Sequence, residues 1–414
     1  MLDINYIRAN QALVEKSTKE KGYSVNVSDL LKLDDERREI LQNVERLRQE
    51  RNEIAAQMKN GKPNEALIQK GRKLKEQLAQ IEPELNTIEE KIEKLLKQVP
   101  NIIFDDVPLG GEECSVEIAK WGNNHTSGVD HLDYAESRNW VDFPRGAKVA
   151  GAKFYYTKGE LALLENALLQ FGIQKVTEHG FTLMMVPDMV SSKVLEGCGF
   201  NPRSSEQSDE YFIEGEDLAM IATAEMPLTG YHMDEIIDED ALPLCYAGYS
   251  ACFRKEAGTY GKYTRGLFRV HQFNKLEMYV FCLPEKSQEM HEKIRSIEEE
   301  IWKAIGIPYR IINIAAGDLG APAAKKYDIE YWSPVNQKYQ ELTSCSNCTD
   351  FQARSLNIRV RRKDGSIEVL HTLNGTAISF ARTMVALIEN YAEPNGKLKI
   401  PEVLQKYLNG TKEL

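Results

Sequence analysis

The sequence predicts an α+β protein: an antiparallel sheet flanked by helices, behind an antiparallel coiled-coil arm. Three observations carry that expectation. A heptad rhythm runs on both sides of a Gly-Pro turn near the N-terminus. A hairpin pattern over residues 253–277 calls for antiparallel pairing. A length of 414 residues exceeds one average core and suggests two or three domains.

Charge and cysteine usage narrow the class. Lys and Arg number 52 against 63 Asp and Glu, a formal net charge of −11. An acidic total argues against a general polyanion sponge but leaves room for a local basic patch. No apolar run follows a basic start, so neither a signal peptide nor a membrane span is expected. The seven cysteines (Cys114, Cys198, Cys245, Cys252, Cys282, Cys345, Cys348) are scattered and odd in number. That usage suits a reduced, cytoplasmic chain without a disulfide framework.

Residues 1–27 are short and mixed, with Leu2, Ile4, Ile7, Leu13 and Val14 able to form an amphipathic cap. From about Ser28 the apolar steps alternate between four and three: Leu33, Arg37, Ile40, Val44, Leu47, Arg51, Ile54, Met58. A turn follows at Asn60, Gly61, Lys62 and Pro63, and then Leu74, Leu78, Ile81, Leu85, Ile88, Ile92, Leu95 and Val99 repeat the rhythm. This predicts a helical hairpin over about 28–99 within an N-terminal domain of residues 1–107. Arg37 and Arg51 stand as polar insertions in the seam, and Pro83 is expected to kink the second helix. Such an arm would project on the order of 50 Å. Lys59, Lys62, Lys70, Arg72, Lys73 and Lys75 crowd its tip against only Glu65 and Glu76. A basic tip suits phosphates; the plainer alternative is a solvated coiled coil.

Residues 100–113 read as a linker, and 108–414 as the globular domain. Residues 154–156 look strand-like. A helix with Leu161, Leu164, Leu168 and Phe171 on one face should run to about His179 and stop at Gly180. Residues 181–187 read as a buried strand ending in Pro187, and 196–208 as a loop able to close over a site. Thr223 and Glu225, at i and i+2, would share one face of a strand and could hold an ammonium group.

The hairpin carries the most chemistry. Arg254, Glu256, Arg269 and Glu277 on its strands, with Phe273 as an aromatic plate, suit a polyanion bearing a flat base. A Phe face stacked on a base is worth roughly 1–3 kcal/mol. The bland alternative is a surface hairpin with cross-strand ion pairs. A helix should follow from Pro284 to about Ile305, closed by Gly306, and then strands over 309–315 and 327–332. Cys345-x-x-Cys348 invites a zinc reading, but there is no second pair and no His at ligand spacing, so zinc is not expected. Glu341 and Ser344 on one strand could instead hold Mg2+ against phosphates. Lastly, a strand should meet a turn at Asn374-Gly375 and then a helix, with Ile378, Met384 (or Val385) and Ile388 inward and Arg382 two turns along.

Taken together, these motifs resemble those of the class II aminoacyl-tRNA synthetases. Phe253-Arg254-Lys255-Glu256 with Arg269-Val270-His271-Gln272-Phe273 is similar to motif 2. The helix, strand and Pro187 are similar to motif 1. Gly375-x-Ala377-x-x-x-x-Arg382 is similar to motif 3, with Ala377 in place of its second Gly. The run from Glu341 to Arg354, Glu-Leu-Thr-Ser-Cys-Ser-Asn-Cys-Thr-Asp-Phe-Gln-Ala-Arg, resembles the seryl-tRNA synthetase branch, as do Ala247-Gly248-Tyr249-Ser250 and the tail from Ile400 to Leu404. The resemblance covers essentially the whole chain.

It implies the class II sheet and a two-step reaction. L-serine's carboxylate attacks the α-phosphorus of ATP; the resulting adenylate passes serine to the 3′ end of tRNA(Ser), with tRNA(Sec) a further candidate. The resemblance places Arg254 on the α-phosphate and the serine carboxylate, and Arg269 and Arg382 on the outer phosphates. Glu341 and Ser344 would bind Mg2+, and Phe273 would stack on adenine. Lys255, Glu256, Val270, Leu342 and Thr343 complete the implied ATP site. Thr223, Ala224, Glu225, Glu277, Asn374 and Thr376, with Arg254, make up the implied serine site. Motif 1 implies a homodimer, and the arm implies contact with the tRNA's long variable arm and elbow. Two other readings stay open. A carrier-protein ligase of this kind lacks a full arm, and a non-catalytic ATP-binding regulator should have lost Arg254, Glu341 or Arg382.

Overall fold

The computed structural model describes residues 1–59, 65–200, 209–256, 265–393 and 395–414. It divides into two compact units, Leu2–Pro100 and Asn101–Leu414 with Met1.

The first unit is helical: α1 (Ile4–Ala9), α2 (Gln11–Glu20), α3 (Val27–Lys59) and α4 (Glu65–Leu96). Asp3 caps α1 by accepting the N–H groups of Asn5 and Tyr6. α3 and α4 run antiparallel, with Arg48 paired to Glu82 at 2.8 Å. Their seam buries Val44, Leu47 and Ile54 against Leu74, Leu78 and Leu85, as the heptads require. Arg37 is no intruder there. It turns to the fully buried Asp34, which also receives Arg8 and Arg38, at 2.7, 2.7 and 3.0 Å. Arg51 is exposed and so lies outside the seam. α4 is continuous through Pro83, whose carbonyl accepts the Thr87 hydroxyl at 2.9 Å. Lys59, Lys70, Arg72, Lys73 and Lys75 are exposed; the expected turn at 60–63, with Lys62, lies outside the described residues.

The second unit is built on an eight-stranded sheet. Its strands are β1 (Val116–Trp121), β2 (Thr182–Met185), β3 (Leu244–Phe253), β4 (Gln272–Cys282), β5 (Tyr309–Asn313), β6 (Lys325–Ser333), β7 (Lys338–Asn347) and β8 (His371–Ser379). Their spatial order is β1-β5-β6-β7-β8-β4-β3-β2. Every neighbouring pair is antiparallel except β2 and β3. The helices that frame it include α5 (His131–Ser137), α6 (Gly159–Glu178), α7 (Glu225–Gly230), α8 (Ser287–Ile305), α9 (Phe351–Ser355) and α10 (Phe380–Tyr391). α6 stops with Gly180 at φ 84°, and α8 with Gly306 at φ 85°, the left-handed ends that glycine allows. α8 packs Ile294, Ile297, Ile301 and Trp302 into the main core.

Four expectations fail here, each for a physical reason. Residues 101–107 are not a solvated linker. Asn101 donates to the carbonyls of Pro322 and Cys348 and to the Thr349 hydroxyl, while Ile103 and Val107 join Ile312 and Ile314 in a core. The strand-like 154–156 yields only the two-residue Tyr156–Thr157, paired with Val141–Asp142. β2 is not buried: it is an edge strand, and Met185 is 74 % exposed. Asn374-Gly375 is no turn but the middle of β8. Gly375 is small because a Cβ there would collide with Ile294 of α8, a demand of close packing rather than of backbone conformation.

Candidate active site

One cleft collects most of the residues singled out from the sequence. Arg254, Glu256, Val270, Phe273, Glu341, Leu342, Thr343, Ser344, Thr376 and Arg382 all line it. Its floor is the central part of the sheet, where β7, β8 and β4 are neighbours.

The hairpin forms, with β3 and β4 paired from Leu244↔Phe281 to Phe253↔Gln272. Of the four charged residues expected on its strands, only Glu277 lies on one. Arg254, Glu256 and Arg269 lie just past the strand ends, because the backbone turns at Glu256 (φ 51°) and at the 3-10 turn Gly266–Phe268. Placed there, Arg254 and Glu256 line the cleft, and Arg269 reaches it through Glu256. Arg269 Nη1 donates to Glu256 Oε2 at 2.9 Å, and the Arg254 guanidinium sits 5.2 Å from the Phe273 ring centroid. Lys255 is exposed, its N–H donating to the Asp209 carbonyl at 2.9 Å. Val270 is buried. The loop 257–264 and most of the expected closing loop, residues 201–208, lie outside the described residues.

Two bulges set the floor. Glu341 and Ser344 are three apart, so a regular strand would point them to opposite faces. The β6–β7 register jumps at Leu342, pairing Ile329 with Thr343 and Glu330 with Glu341. That extra residue brings Glu341 and Ser344 onto the same side. β8 repeats the device: Ala377 is skipped, so Thr376 opposes Glu277 and Ser379 opposes Lys275. Arg382 follows in the first turn of α10 rather than two turns along. It pairs with Glu341 at 3.0 Å and covers the Phe268 ring at 5.1 Å.

Electrostatics divide the cleft. Burial acts to raise the Glu341 carboxyl, but Arg382, then Lys326 and Arg254, hold it well below the usual carboxylate range. Ser344 opposes Asp328 on β6. Asp328 is tied to Lys326 at 3.0 Å by Oδ2, while its buried Oδ1 has no hydrogen-bond partner among the described residues. Hard oxygen donors on one face, one of them unsatisfied, fit a Mg2+ ion.

Thr223 and Glu225 do not share a strand. Thr223 lies in a bend and Glu225 opens α7, with the Thr223 hydroxyl accepting the Glu225 N–H at 3.3 Å. A hydroxyl that satisfies a helix-start N–H favours this local form over an extended one. Glu225 Oε1 accepts from Gln352 at 2.7 Å and Asn374 at 3.0 Å. Gln352 is itself fixed by the Tyr279 and Thr372 hydroxyls at 2.9 and 2.7 Å. Burial first, and then the charge of Glu277, push the Glu225 carboxyl up to about 7, against Gln352, Lys275 and Arg254. Glu277 pairs with Lys275 at 2.6 Å and accepts the Thr376 hydroxyl at 3.2 Å. Ala224 is buried beside them.

Cys345 and Cys348 are buried thiols in no disulfide; Cys348 accepts from Asn374 at 3.7 Å. Lys275, Gln352, Ser379, Phe268, Lys326 and Asp328 were not expected in the site. Lys275 had a signal, being two residues from Glu277 on one strand. Gln352 stood unremarked in the most distinctive run of the sequence.

Comparison with known proteins shows the family. Residues 1–103 match the model of the seryl-tRNA synthetase N-terminal domain, and residues 210–391 that of the tRNA synthetase class II core domain (G, H, P, S and T). The serine–tRNA ligase of Dictyoglomus thermophilum is 46% identical over 99% of this chain and 98% of its own. That of Treponema denticola is 41% identical over 98% of each. A crystal structure of seryl-tRNA synthetase from Pyrococcus horikoshii complexed with ATP superposes with a TM-score of 0.91 at 42% identity, covering 100% of this chain and 99% of that one. The cytoplasmic serine–tRNA ligase of Naegleria fowleri, in complex with AMP, gives 0.87 at 31% identity, covering 100% and 98%. With relatives of this identity along its full length, the chain belongs to the seryl-tRNA synthetase family.

Proposed function

We propose that the protein is a serine–tRNA ligase that activates L-serine with ATP and transfers it to tRNA(Ser). One observation carries the reading. A cleft lined by Arg254 and Arg382, with Arg269 bound to its Glu256, lies beside a buried carboxylate, Glu225, that is met by two neutral amides and, among the described residues, by no ion-paired cation. Three guanidinium groups suit a triphosphate. An undercompensated buried carboxylate suits an ammonium group.

In the first step a serine carboxylate oxygen bonds to the α-phosphorus and pyrophosphate leaves. No enzyme nucleophile is needed; positioning and charge neutralisation do the work. Arg254 would bridge the two reactants, Arg269 and Arg382 would hold the outer phosphates, and Phe273 would carry the adenine. Lys255, Glu256 and Val270 would edge the nucleotide, beside Leu342 and Thr343. Glu341 and Ser344 would hold Mg2+, which neutralises phosphate charge when bound. Glu225 would take the serine ammonium, with Thr223, Ala224 and Asn374 around it. Glu277 and Thr376 would meet the serine hydroxyl. Excluding one extra methyl is worth only about 1–3 kcal/mol, so threonine should be a weak competing substrate. The second step moves the acyl group to the tRNA's terminal ribose hydroxyl and releases AMP. The exposed lysines and Arg72 near the end of the arm support its role as the tRNA reader. The exposed edge of β2 supports a homodimer. Among the described residues no helix is long and apolar enough to cross a membrane, which is compatible with a cytoplasmic enzyme.

The test is ATP–pyrophosphate exchange with each amino acid, then charging of bulk tRNA. Exchange with serine together with charging supports the reading. Exchange without charging moves it to a carrier-protein ligase, and no exchange to a binding protein.

A further inference from the structure

The start of α5 joins two parts of the cleft that are far apart in sequence. His131 is 6 % exposed. Its Nε2 accepts the backbone N–H of Leu267 at 3.3 Å. In the neutral ring the proton therefore sits on Nδ1. Nδ1 lies 3.4 Å from Oε1 of Glu389, a buried residue near the end of α10. Glu389 is fixed from its other oxygen by the Ser333 hydroxyl at 2.6 Å and the Tyr331 hydroxyl at 3.1 Å. Nδ1 has no hydrogen-bond partner among the described residues, so the imidazole is bonded to the loop backbone and packs, at that 3.4 Å approach, against a helix that is itself pinned to β6.

Gly266 makes this approach possible. It holds φ 66°, and a Cβ there would strike His131 Nε2. A second tie flanks the first: Arg265 reaches Asp133 of α5 at 2.7 Å. The turn Gly266–Phe268 delivers two groups to the cleft. Phe268 supports the Arg382 guanidinium, and Arg269 leads on to Glu256. α10 delivers Arg382 itself. The separation of the two phosphate-facing guanidinium groups therefore depends on how that turn sits against α10, and His131 is one side chain that touches both.

We propose that His131 is a positioning residue for the nucleotide: it holds the Gly266–Phe268 turn against α10 so that Arg269 and Arg382 face one triphosphate. This rests on the ATP reading of the cleft. His131 touches no reactant, so its loss should act on ATP and not on serine.

The experiment is serine-dependent ATP–pyrophosphate exchange by the full chain carrying His131→Leu, His131→Gln or Gly266→Ala. Leucine fills the space without an acceptor. Glutamine places Oε1 about where Nε2 stood and its amide toward Glu389. Loss of one buried hydrogen bond should raise the ATP KM of His131→Leu about fivefold to tenfold, with kcat and the serine KM within about twofold. His131→Gln should recover most of that loss, and Gly266→Ala should reproduce it. A merely structural histidine would give equal damage to both KM values and no recovery with glutamine. Either that pattern, or an unchanged ATP KM in His131→Leu, overturns the proposal. Should His131→Leu fail to fold, His131→Gln against Gly266→Ala decides, with equal ATP KM values overturning it. If the unaltered protein shows no serine-dependent exchange, the functional reading fails instead. Calorimetric ATP binding to the same variants then still tests His131, with equal affinities overturning its role.

Discussion

Two buried carboxylates, one in each compact unit, have opposite fates. Asp34 in the arm unit is fully buried and meets three arginines. Burial acts to raise its carboxyl, yet Arg8, Arg37 and Arg38 together pull it below the ordinary aspartate range. Glu225 in the sheet unit is as well hidden but meets two amides and feels a second carboxylate, so it is pushed up to about 7. The chemistry of the groups is the same; the difference lies in the company. A buried charge whose partners are all supplied by the fold is a structural tie. One left short of a countercharge marks where a ligand's cation belongs.

That contrast can be broken in several places. The largest effect is expected at Arg382, which compensates Glu341 at the cleft floor. Arg382→Ala should lower serine-dependent pyrophosphate exchange by about 1,000-fold or more, with circular dichroism and Tm as in the unaltered protein. Normal exchange would remove Arg382 from the chemistry. Next comes the arm. Replacing residues 36–95 by a short linker should cut tRNA charging by about 100-fold through lost phosphate contacts, while exchange persists. Charging that survives the deletion would mean the arm does not read tRNA.

The third effect is on stability. Because the arginines around Asp34 are 25–41% exposed at their side chains, solvent screening trims the value of the tie, and Asp34→Ala should destabilise the arm unit by about 2 kcal/mol. The sign with pH follows from a lowered carboxyl: the contribution is complete above about pH 4 and is lost as pH falls through the lower native value. Urea titrations should show the two proteins converging in acid; a constant gap would contradict the ion-pair account. Glu225 should show the reverse. Its raised carboxyl makes the ligand-free fold bind protons that the unfolded chain has shed, so stability declines as pH rises from about 4.5 to about 7. Serine needs the anion, so its KM should fall about eightfold from about pH 6 to about pH 7.5, and Glu225→Gln should abolish that slope. A serine KM independent of pH in the unaltered protein would take Glu225 out of the ammonium site.

These two regions also differ in how far their sequences betray them. The arm was legible because a heptad is a local rule: Val44, Leu47, Ile54, Leu74, Leu78 and Leu85 interlock where the spacing put them. The main hairpin and α8 were legible too, from alternation and from Pro284 and Gly306. What failed depended on distant neighbours. Residues 181–187 have the composition of a buried strand, but burial needs a partner on both sides and β2 has one. Gly375 looked like a turn because nothing nearby in sequence reveals Ile294 above it. The proposed serine pocket was only half visible. Glu225 and Asn374 came through the family resemblance, whereas Gln352, which orders both the carboxylate and its surroundings, acquires meaning only once α9 is seen under the cleft.

The bulges at Leu342 and Ala377 carry one more consequence. A strand is a two-beat rhythm, and each extra residue shifts its phase by one beat. Residues an odd number apart across the shift therefore face the cleft together, as Glu341 and Ser344 do, and Thr376 and Ser379. Removing Leu342 or Ala377 would leave a more regular strand with these side chains two residues apart and still on one face, at the loss of one buried apolar side chain. Along these two strands, therefore, the enzyme should keep its site pairing when a bulge residue is missing, and such a deletion would be felt as a loss of packing before it is felt as a loss of chemistry.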